Sequence, residues 1–134
     1  MKRKTVLLVL LGLNGLMQLV GGALMIAAPE NAADGFFRVA ATPDVRRILP
    51  VIGGCTLSFL FLTIVTILWV LRDRREGYTL AILQGIMLAI LGPIMVATGT
   101  AAGGIDATKG LLIAVCGWWA RQSFADRSGS PHRS

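Results

Sequence analysis

Four long apolar runs, separated by short charged segments, dominate the hydrophobic pattern of this chain. The first run, from Thr5 to Ala28, contains no charged residue, and a helix needs about 20 apolar residues to cross a bilayer. The pattern predicts an all-α integral membrane protein, with a single domain over residues 1–124 and a disordered cytoplasmic tail over 125–134. The domain is expected to be a four-helix bundle with helices at about 5–28, 44–71, 78–98 and 107–124.

The most highly charged segment is Arg72-Asp73-Arg74-Arg75-Glu76-Gly77, which holds five of the twenty Lys, Arg, Asp and Glu residues. Because charged side chains are costly inside hydrocarbon, the chain is expected to reach the membrane surface here. The segment therefore divides the protein into two predicted hairpins, Met1–Leu71 and Tyr78–Ser134.

Local signals predict where several helices begin and end. Pro29 is expected to end the first helix, and Pro29–Arg47 is expected to form a polar connection. Thr42-Pro43-Asp44 predicts the start of the second helix, with a threonine cap, a proline at the first helical position and an acid in the first turn. Asp106 is the expected N-cap of the fourth helix, which is the least regular span because Lys109 lies in its first turn.

A cleaved signal peptide is the alternative interpretation of the first run. The apolar core of such a peptide is about 7–15 residues long, whereas this run is longer, and Pro29 follows directly after the best small-residue cleavage site, Ile26-Ala27-Ala28. A membrane-spanning helix is therefore the favoured interpretation.

The distribution of basic residues predicts the orientation. Cytoplasmic segments of membrane proteins are enriched in Lys and Arg. Nine basic residues fall at one predicted membrane surface: Lys2, Arg3, Lys4, Arg72, Arg74, Arg75, Arg121, Arg127 and Arg133. Four fall at the other: Arg38, Arg46, Arg47 and Lys109. Both termini are therefore expected on the cytoplasmic side of a bacterial-type inner membrane.

Composition agrees with a membrane location and adds little about function. Hydrophobic residues make up 54% of the chain and charged residues 15%, with a net charge of +6 and a mean hydropathy of +0.70. The basic residues flank apolar runs and form no basic face with interleaved aromatic residues, so nucleic acid is not an expected partner. Cys55 and Cys116 lie in apolar runs without a C-x-x-C pair; a disulfide between them is the minor alternative to free thiols.

Three of the predicted helices carry a face of small and polar residues, a pattern that allows close helix packing and hydrogen bonds between helices. The polar members define a seam: Asn14, Gln18, Ser58, Thr66 and Gln84. Mutual hydrogen bonding is the favoured role of this seam, and binding of a ligand is the alternative. On the second helix, Gly54 is placed on the seam side and Leu57 and Leu60 on the opposite side. Four glycines are expected at helix contacts: Gly15, Gly22, Gly85 and Gly92.

Residue types that carry chemistry are missing from the predicted spans. No Asp, Glu, Lys, Arg or His lies in the middle of any span, although ion pathways and proton relays place ionisable groups there. No catalytic triad, metal-ligand spacing or phosphate-binding loop occurs in the sequence. The protein is therefore expected to be neither an enzyme nor proton-coupled, and to hold no metal or cofactor.

Several features resemble the DoxX-like proteins and related small bacterial four-helix membrane families of unknown function. They are a glycine-rich first helix ending in Ala28-Pro29, a polar connection, Arg47 shortly before Gly53-Gly54, and a short basic central loop, over about residues 10–100. The resemblance implies a membrane-associated partner of redox or stress proteins. Length and helix count also resemble the small multidrug transporters, but these carry a membrane glutamate in helix 1, where this chain has Asn14.

The sequence is compatible with three functional hypotheses. The first is an accessory or interaction subunit without catalytic machinery, with a protein partner in a membrane complex or a homo-oligomer. The second is a binder or carrier of a small lipophilic ligand in the seam. The third, a membrane enzyme of the sterol-isomerase-like type, requires intramembrane acids that are missing. The first is the preferred prediction.

Overall fold

The structure, a computed structural model, describes residues 2–97 and 102–128. This part of the chain is helical almost throughout and contains no strand. Four long helices are joined through one short helix and one π-helical turn: α1 (Lys2–Ala27), α2 (Pro29–Asn31), the π turn (Ala32–Phe37), α3 (Pro43–Leu71), α4 (Arg75–Ala97) and α5 (Ala102–Ser128). The all-α prediction is confirmed.

Three of these helices, α1, α3 and α4, are long and apolar enough to cross a membrane. The fourth long helix, α5, packs against α4 along its length, and its more polar sequence includes Asp106, Lys109 and Arg121. The structure therefore supports a membrane protein with three candidate spans, and a fourth span stays a prediction.

The start of α3 follows its local sequence signals. Thr42 has an extended backbone, and its side-chain oxygen accepts a hydrogen bond from the Val45 N–H at 3.4 Å. Pro43 occupies the first helical turn, where no N–H is required, and Asp44 adds an acid to that turn. The threonine cap and proline start are confirmed.

The connection between α1 and α3 is more ordered than the sequence pattern indicates. Ala32 and Ala33 are fully buried in the π turn and, together with Phe37, pack against Met25 and Leu49. The sequence pattern conceals these apolar positions, because they form short groups interrupted by Asp34 and Gly35. The π turn thus covers one end of the helices.

The α5 boundaries differ from the predicted ones. Asp106 does not cap this helix, because α5 already begins at Ala102; instead its carboxylate pairs with Lys109 three residues later, at 2.7 Å. Helix α5 also continues to Ser128, so residues 125–128 of the predicted tail are helical. Residues 129–134 lie outside the described part of the chain.

Helices α4 and α5 approach closely through glycines. A Cβ atom on Gly85 would lie 2.7 Å from the Gly110 carbonyl oxygen, and one on Gly92 would lie 2.5 Å from the Gly103 carbonyl oxygen. Contacts this short with backbone atoms leave no room for any side chain. The expectation that Gly85 and Gly92 lie at helix contacts is confirmed.

Helices α1 and α3 also meet at glycines. A Cβ atom on Gly22 would lie 3.1 Å from the Gly53 carbonyl oxygen, and one on Gly53 would lie 2.8 Å from the Gly22 carbonyl oxygen. Leu57 and Leu60 lie at this contact, beside Gly22 and Gly15 respectively, and not on the opposite side as predicted. The predicted positions of Leu57 and Leu60 on α3 are therefore wrong, although Thr66 is buried as predicted. Gly15 and Gly22 are confirmed as contact residues.

The residue pattern predicts that Val9, Leu13, Leu16, Val20 and Leu24 on α1, and Ile82, Ile86, Ile90 and Ile94 on α4, face away from the helix contacts. This is confirmed except at Leu24, which is partly buried against the cluster around Met25, and at Ile82, which lies at the contact with Gly117 on α5. Large apolar side chains cover both outer faces and are about half exposed: Val9, Leu13, Leu16 and Val20 on α1, and Ile86, Ile90 and Ile94 on α4. In a membrane these side chains meet lipid tails, which are as apolar as the side chains themselves.

Candidate ligand-binding cavity

A cavity of about 640 Å³ lies among α1, α3, α4, α5 and the π turn. Ligand sites for small molecules span about 300–1,000 Å³ and are mostly apolar with a few polar groups. This cavity has that character, since aliphatic and aromatic side chains such as Phe37, Phe59 and Leu88 supply most of its wall.

Methionines are a distinctive part of the wall. All four methionines after Met1 line the cavity: Met17 and Met25 from α1, and Met87 and Met95 from α4. Methionine side chains are flexible and polarisable and adapt to varied apolar partners. Their concentration here suits a binding surface that fits itself around a ligand.

Polar side chains from three helices meet at the inner end of the cavity, near the middle of the helices. The Gln84 amide donates a hydrogen bond to the Thr66 hydroxyl at 2.8 Å, and Thr66 in turn donates to the Leu62 carbonyl at 2.8 Å. The Thr63 hydroxyl lies 3.0 Å from Gln18 Oε1 and 3.4 Å from Gln84 Oε1. One polar cluster thus connects α1, α3 and α4.

The Thr63 hydroxyl is shared among more acceptors than it can serve. Besides the two glutamine oxygens it lies 3.1 Å from the Phe59 carbonyl, yet a hydroxyl carries one proton. The cluster is therefore short of donors, unless the Gln18 amide turns over so that its N–H donates to Thr63.

Asn14 borders the same inner end and has no partner. Its side chain is fully buried, and neither Oδ1 nor Nδ2 has a hydrogen-bond partner in the described part of the chain. A buried polar group left unsatisfied costs about 1–3 kcal/mol. Asn14 also lines the cavity, so a polar group placed there would be available as its partner.

The structure groups the predicted seam residues differently from the sequence pattern. Gln18, Thr66 and Gln84 are joined in the cluster, and Asn14 lies beside them. Ser58 lies apart: its side chain is exposed and donates to the Gly54 carbonyl of its own helix at 3.0 Å.

Thr63, which sequence reasoning missed, is central to the cluster. Its spacing of three residues from Thr66, which places both on one helix face, was the available signal.

The opposite end of the cavity, which lies beside the π turn and is here called the mouth, is charged. Arg38, Asp106 and Lys109 line it, and the Asp106–Lys109 pair is mostly shielded, with side-chain exposures of 26% and 14%. Arg38 is exposed and forms no ion pair within the described residues. Its backbone is left-handed, with φ of 54°, a conformation that is uncommon for residues other than glycine, asparagine and aspartate. The mouth therefore presents one cation without a charged partner.

The arrangement can bind and orient a molecule, but it shows no group for acid–base work at the inner end. Asn14, Gln18 and Gln84 are amides, and Thr63 and Thr66 are hydroxyls, none of which titrates near neutral pH. Cys55 lines the wall as a free thiol, and Cys116 is also free. Within the described residues no cluster of three or more His, Cys, Asp or Glu side chains could hold a metal ion.

No protein-family model, curated protein or solved structure matches this chain. The structure places it among helical proteins with three candidate membrane spans, and the similarity to DoxX-like families stays an expectation from sequence.

Proposed function

We propose that this protein is a multi-pass membrane protein without catalytic machinery that binds a small lipophilic molecule in the methionine-lined cavity. The observation that carries the proposal is Asn14, a fully buried amide with no partner at the inner end of that cavity. A lipophilic ligand with a neutral polar group, such as a carbonyl or a hydroxyl, would supply the missing hydrogen bonds.

The geometry favours binding over a purely structural seam. A structural seam pairs its polar groups with one another, as Gln84 and Thr66 do at 2.8 Å. Asn14 and the donor-poor environment of Thr63 depart from that pattern. The accessory-subunit hypothesis stays a prediction, because the exposed apolar faces suit lipid and a protein partner equally.

Native mass spectrometry of the protein purified in mild detergent tests the proposal. We expect a stoichiometric lipophilic adduct on the wild-type chain that is strongly reduced in Asn14→Leu and retained in Ser58→Ala. The second variant removes a hydroxyl from the same membrane region but outside the polar cluster. An adduct-free wild-type protein, or equal adduct levels on all three chains, would contradict the proposal.

We also propose that four helices cross a bacterial-type inner membrane with both termini in the cytoplasm. The nine-to-four distribution of basic residues supports this orientation. The test uses single cysteines in a Cys55→Ala, Cys116→Ala background and an impermeant thiol reagent on intact cells. Arg74→Cys should be protected and Asp34→Cys should be labelled. Both positions are exposed and lie at opposite ends of the helices, so the reverse result would invert the orientation.

A further inference from the structure

The two ends of the cavity carry different polar chemistry. The inner end offers amides and a hydroxyl, at Asn14, Gln18, Gln84 and Thr63, while the mouth offers Arg38 and Lys109 with one compensating acid, Asp106. The mouth has a net positive charge, and the inner end has no ionised group within the described residues. A ligand with a polar group at only one end would leave either the Asn14 or the Arg38 side chain without a partner in the ligand or in the described part of the chain.

The distance between the two ends follows from the helices that line the cavity. On α1 the lining extends from Asn14 to Met25, and on α4 from Gln84 to Met95. Both intervals are eleven residues, which is about 16 Å along a helix. The cavity therefore spans roughly half of the ~30 Å hydrocarbon core, with methionines between the two polar ends.

The charges at the mouth distinguish Arg38 from its neighbours. Lys109 is paired with Asp106 at 2.7 Å, and Arg46, at the same end of the molecule, is paired with Glu30 at 2.8 Å. Arg46 and Glu30 do not line the cavity, whereas Arg38 does. A guanidinium has a planar set of donors that matches a carboxylate or a phosphate, so an anionic group is the natural partner of Arg38.

We propose that the ligand is a single-chain amphiphile with an anionic group at the mouth, bound by Arg38, and a neutral hydroxyl or carbonyl about 16 Å away, bound by Asn14 and the Gln18–Thr63–Gln84 cluster. The chain between them lies against the four methionines. A terminal hydroxyl fits best, since it can both donate and accept, as the unpaired Asn14 side chain requires. This inference rests on the proposed function and narrows its ligand class.

The test compares four probes of one chain length: an ω-hydroxy fatty acid, the unsubstituted fatty acid, the corresponding diol and the corresponding alcohol. Binding to the full chain in nanodiscs is measured by native mass spectrometry. We expect the ω-hydroxy fatty acid to bind roughly tenfold or more tightly than either the fatty acid, which lacks the hydroxyl, or the diol, which lacks the anionic group.

Variants assign each end group to its residue. Arg38→Gln should lower the affinity for the ω-hydroxy fatty acid to that for the diol and leave the diol unchanged. Asn14→Leu should lower the affinity for the ω-hydroxy fatty acid to the affinity for the unsubstituted fatty acid. Arg46→Gln is the matched control, because Arg46 is a cation at the same end of the molecule but does not line the cavity. This variant should change neither the affinity for the ω-hydroxy fatty acid nor the affinity for the diol.

Several outcomes would overturn the inference. Equal binding of the ω-hydroxy fatty acid and the diol to the wild-type chain would exclude an anion site. Equal losses of affinity in Arg38→Gln and Arg46→Gln would show that the anion is not bound specifically by Arg38. If the four probes bind equally while Asn14→Leu still removes the native adduct, this inference fails and the proposed function stands. If the wild-type chain carries no adduct and binds none of the four probes, both this inference and the proposed function are contradicted.

Discussion

The two ends of this protein are built from the same helices but are packed in different ways. At the closed end, a cluster of buried apolar side chains packs between the helices. Its members are exposed by 2% or less: Leu7, Leu11, Val70, Tyr78, Ala81, Ile113 and Ala120. At the cavity end, the end that contains the mouth, flexible methionines surround about 640 Å³ of open space. The cluster around Asn14 and Gln84 lies at the boundary between them.

Several polar groups at the closed end are paired between elements. Lys4 pairs with Asp73 at 2.9 Å, and Tyr78 donates to the same carboxylate at 3.0 Å. Arg3 donates to Ser123 at 2.6 Å, and its guanidinium lies 4.3 Å from the centre of the Trp119 ring, an arrangement that favours a cation–π contact. These contacts tie the start of α1 to the α3–α4 loop and to α5.

The two ends therefore have different roles: the closed end stabilises the fold, and the cavity end is suited to binding. The closed end has a packed apolar core and contacts between elements that stabilise the assembly, whereas the cavity end retains a buried, unpaired amide at a cost in stability. Such a cost is typical of sites that are completed by a ligand. The predictions that follow test this difference.

The largest effect is expected from Gly85→Leu, because Gly85 lies at the α4–α5 contact that supports both ends. A side chain there meets the α5 backbone at Gly110 and Ala114, so the helices must separate. We expect a loss of more than about 4 kcal/mol or failure to fold, measured by thermal unfolding in detergent. Gly12→Leu is the matched control, since no atom lies within 4 Å of its Cβ position. Similar losses in both variants would mean that the α4–α5 contact does not support the assembly.

Truncation of a side chain should cost more at the closed end. Leu11 is fully buried, so Leu11→Ala should lower the free energy of unfolding by about 2–5 kcal/mol. Met87 lines the cavity and is 42% exposed, so Met87→Ala should cost less than about 1 kcal/mol. Thermal unfolding of both variants in the same detergent measures these losses. If Met87→Ala costs as much stability as Leu11→Ala, or more, the two ends do not differ in packing.

Asn14→Leu and Gln84→Leu should change stability in opposite directions. Removing the unpaired Asn14 amide should stabilise the ligand-free protein by about 1 kcal/mol. Gln84→Leu removes the donor to Thr66 and an acceptor near Thr63, so it should destabilise by about 1 kcal/mol. Unfolding of delipidated protein is the measurement. A destabilised Asn14→Leu would show that this amide supports the fold.

The smallest effect is expected from the charges of the closed end. Lys4 and Asp73 have side-chain exposures of 23% and 50%, and exposed pairs contribute about 0–1 kcal/mol. Lys4→Gln should therefore cost less than about 1 kcal/mol, and the cost should decrease at high salt because the pair is screened. A double-mutant cycle with Asp73→Asn measures the coupling, and a coupling well above that range would place the pair among the main stabilising contacts.

Much of the helical architecture was predictable because its signals are local or periodic. The threonine-proline start of α3 depends on three consecutive residues, and the inner faces of α1 and α4 follow from small residues at helical spacing. The close α4–α5 contact was only half predicted: Gly85 and Gly92 were identified, but the matching series Gly103, Gly110 and Gly117 on α5 was not.

The orientation of α3 could not be derived in the same way. Gly53 and Gly54 are adjacent, so they point about 100° apart around a helix, and apolar residues surround both. The structure places Gly53 against α1 and leaves nothing within 4 Å of a Cβ on Gly54. That choice brings Thr63 into the polar cluster and leaves Ser58 outside it.

The sequence by itself determined that the chain is helical, that at least three helices suit a membrane, and which faces of α1 and α4 point inward, because periodicity and hydropathy act along one helix at a time. Only the tertiary structure decided that Met17 and Met25 share a cavity with Met87 and Met95, and that Gln84 finds partners while Asn14 does not. These relations join residues distant in sequence, and they depend on how each helix is rotated against its neighbours.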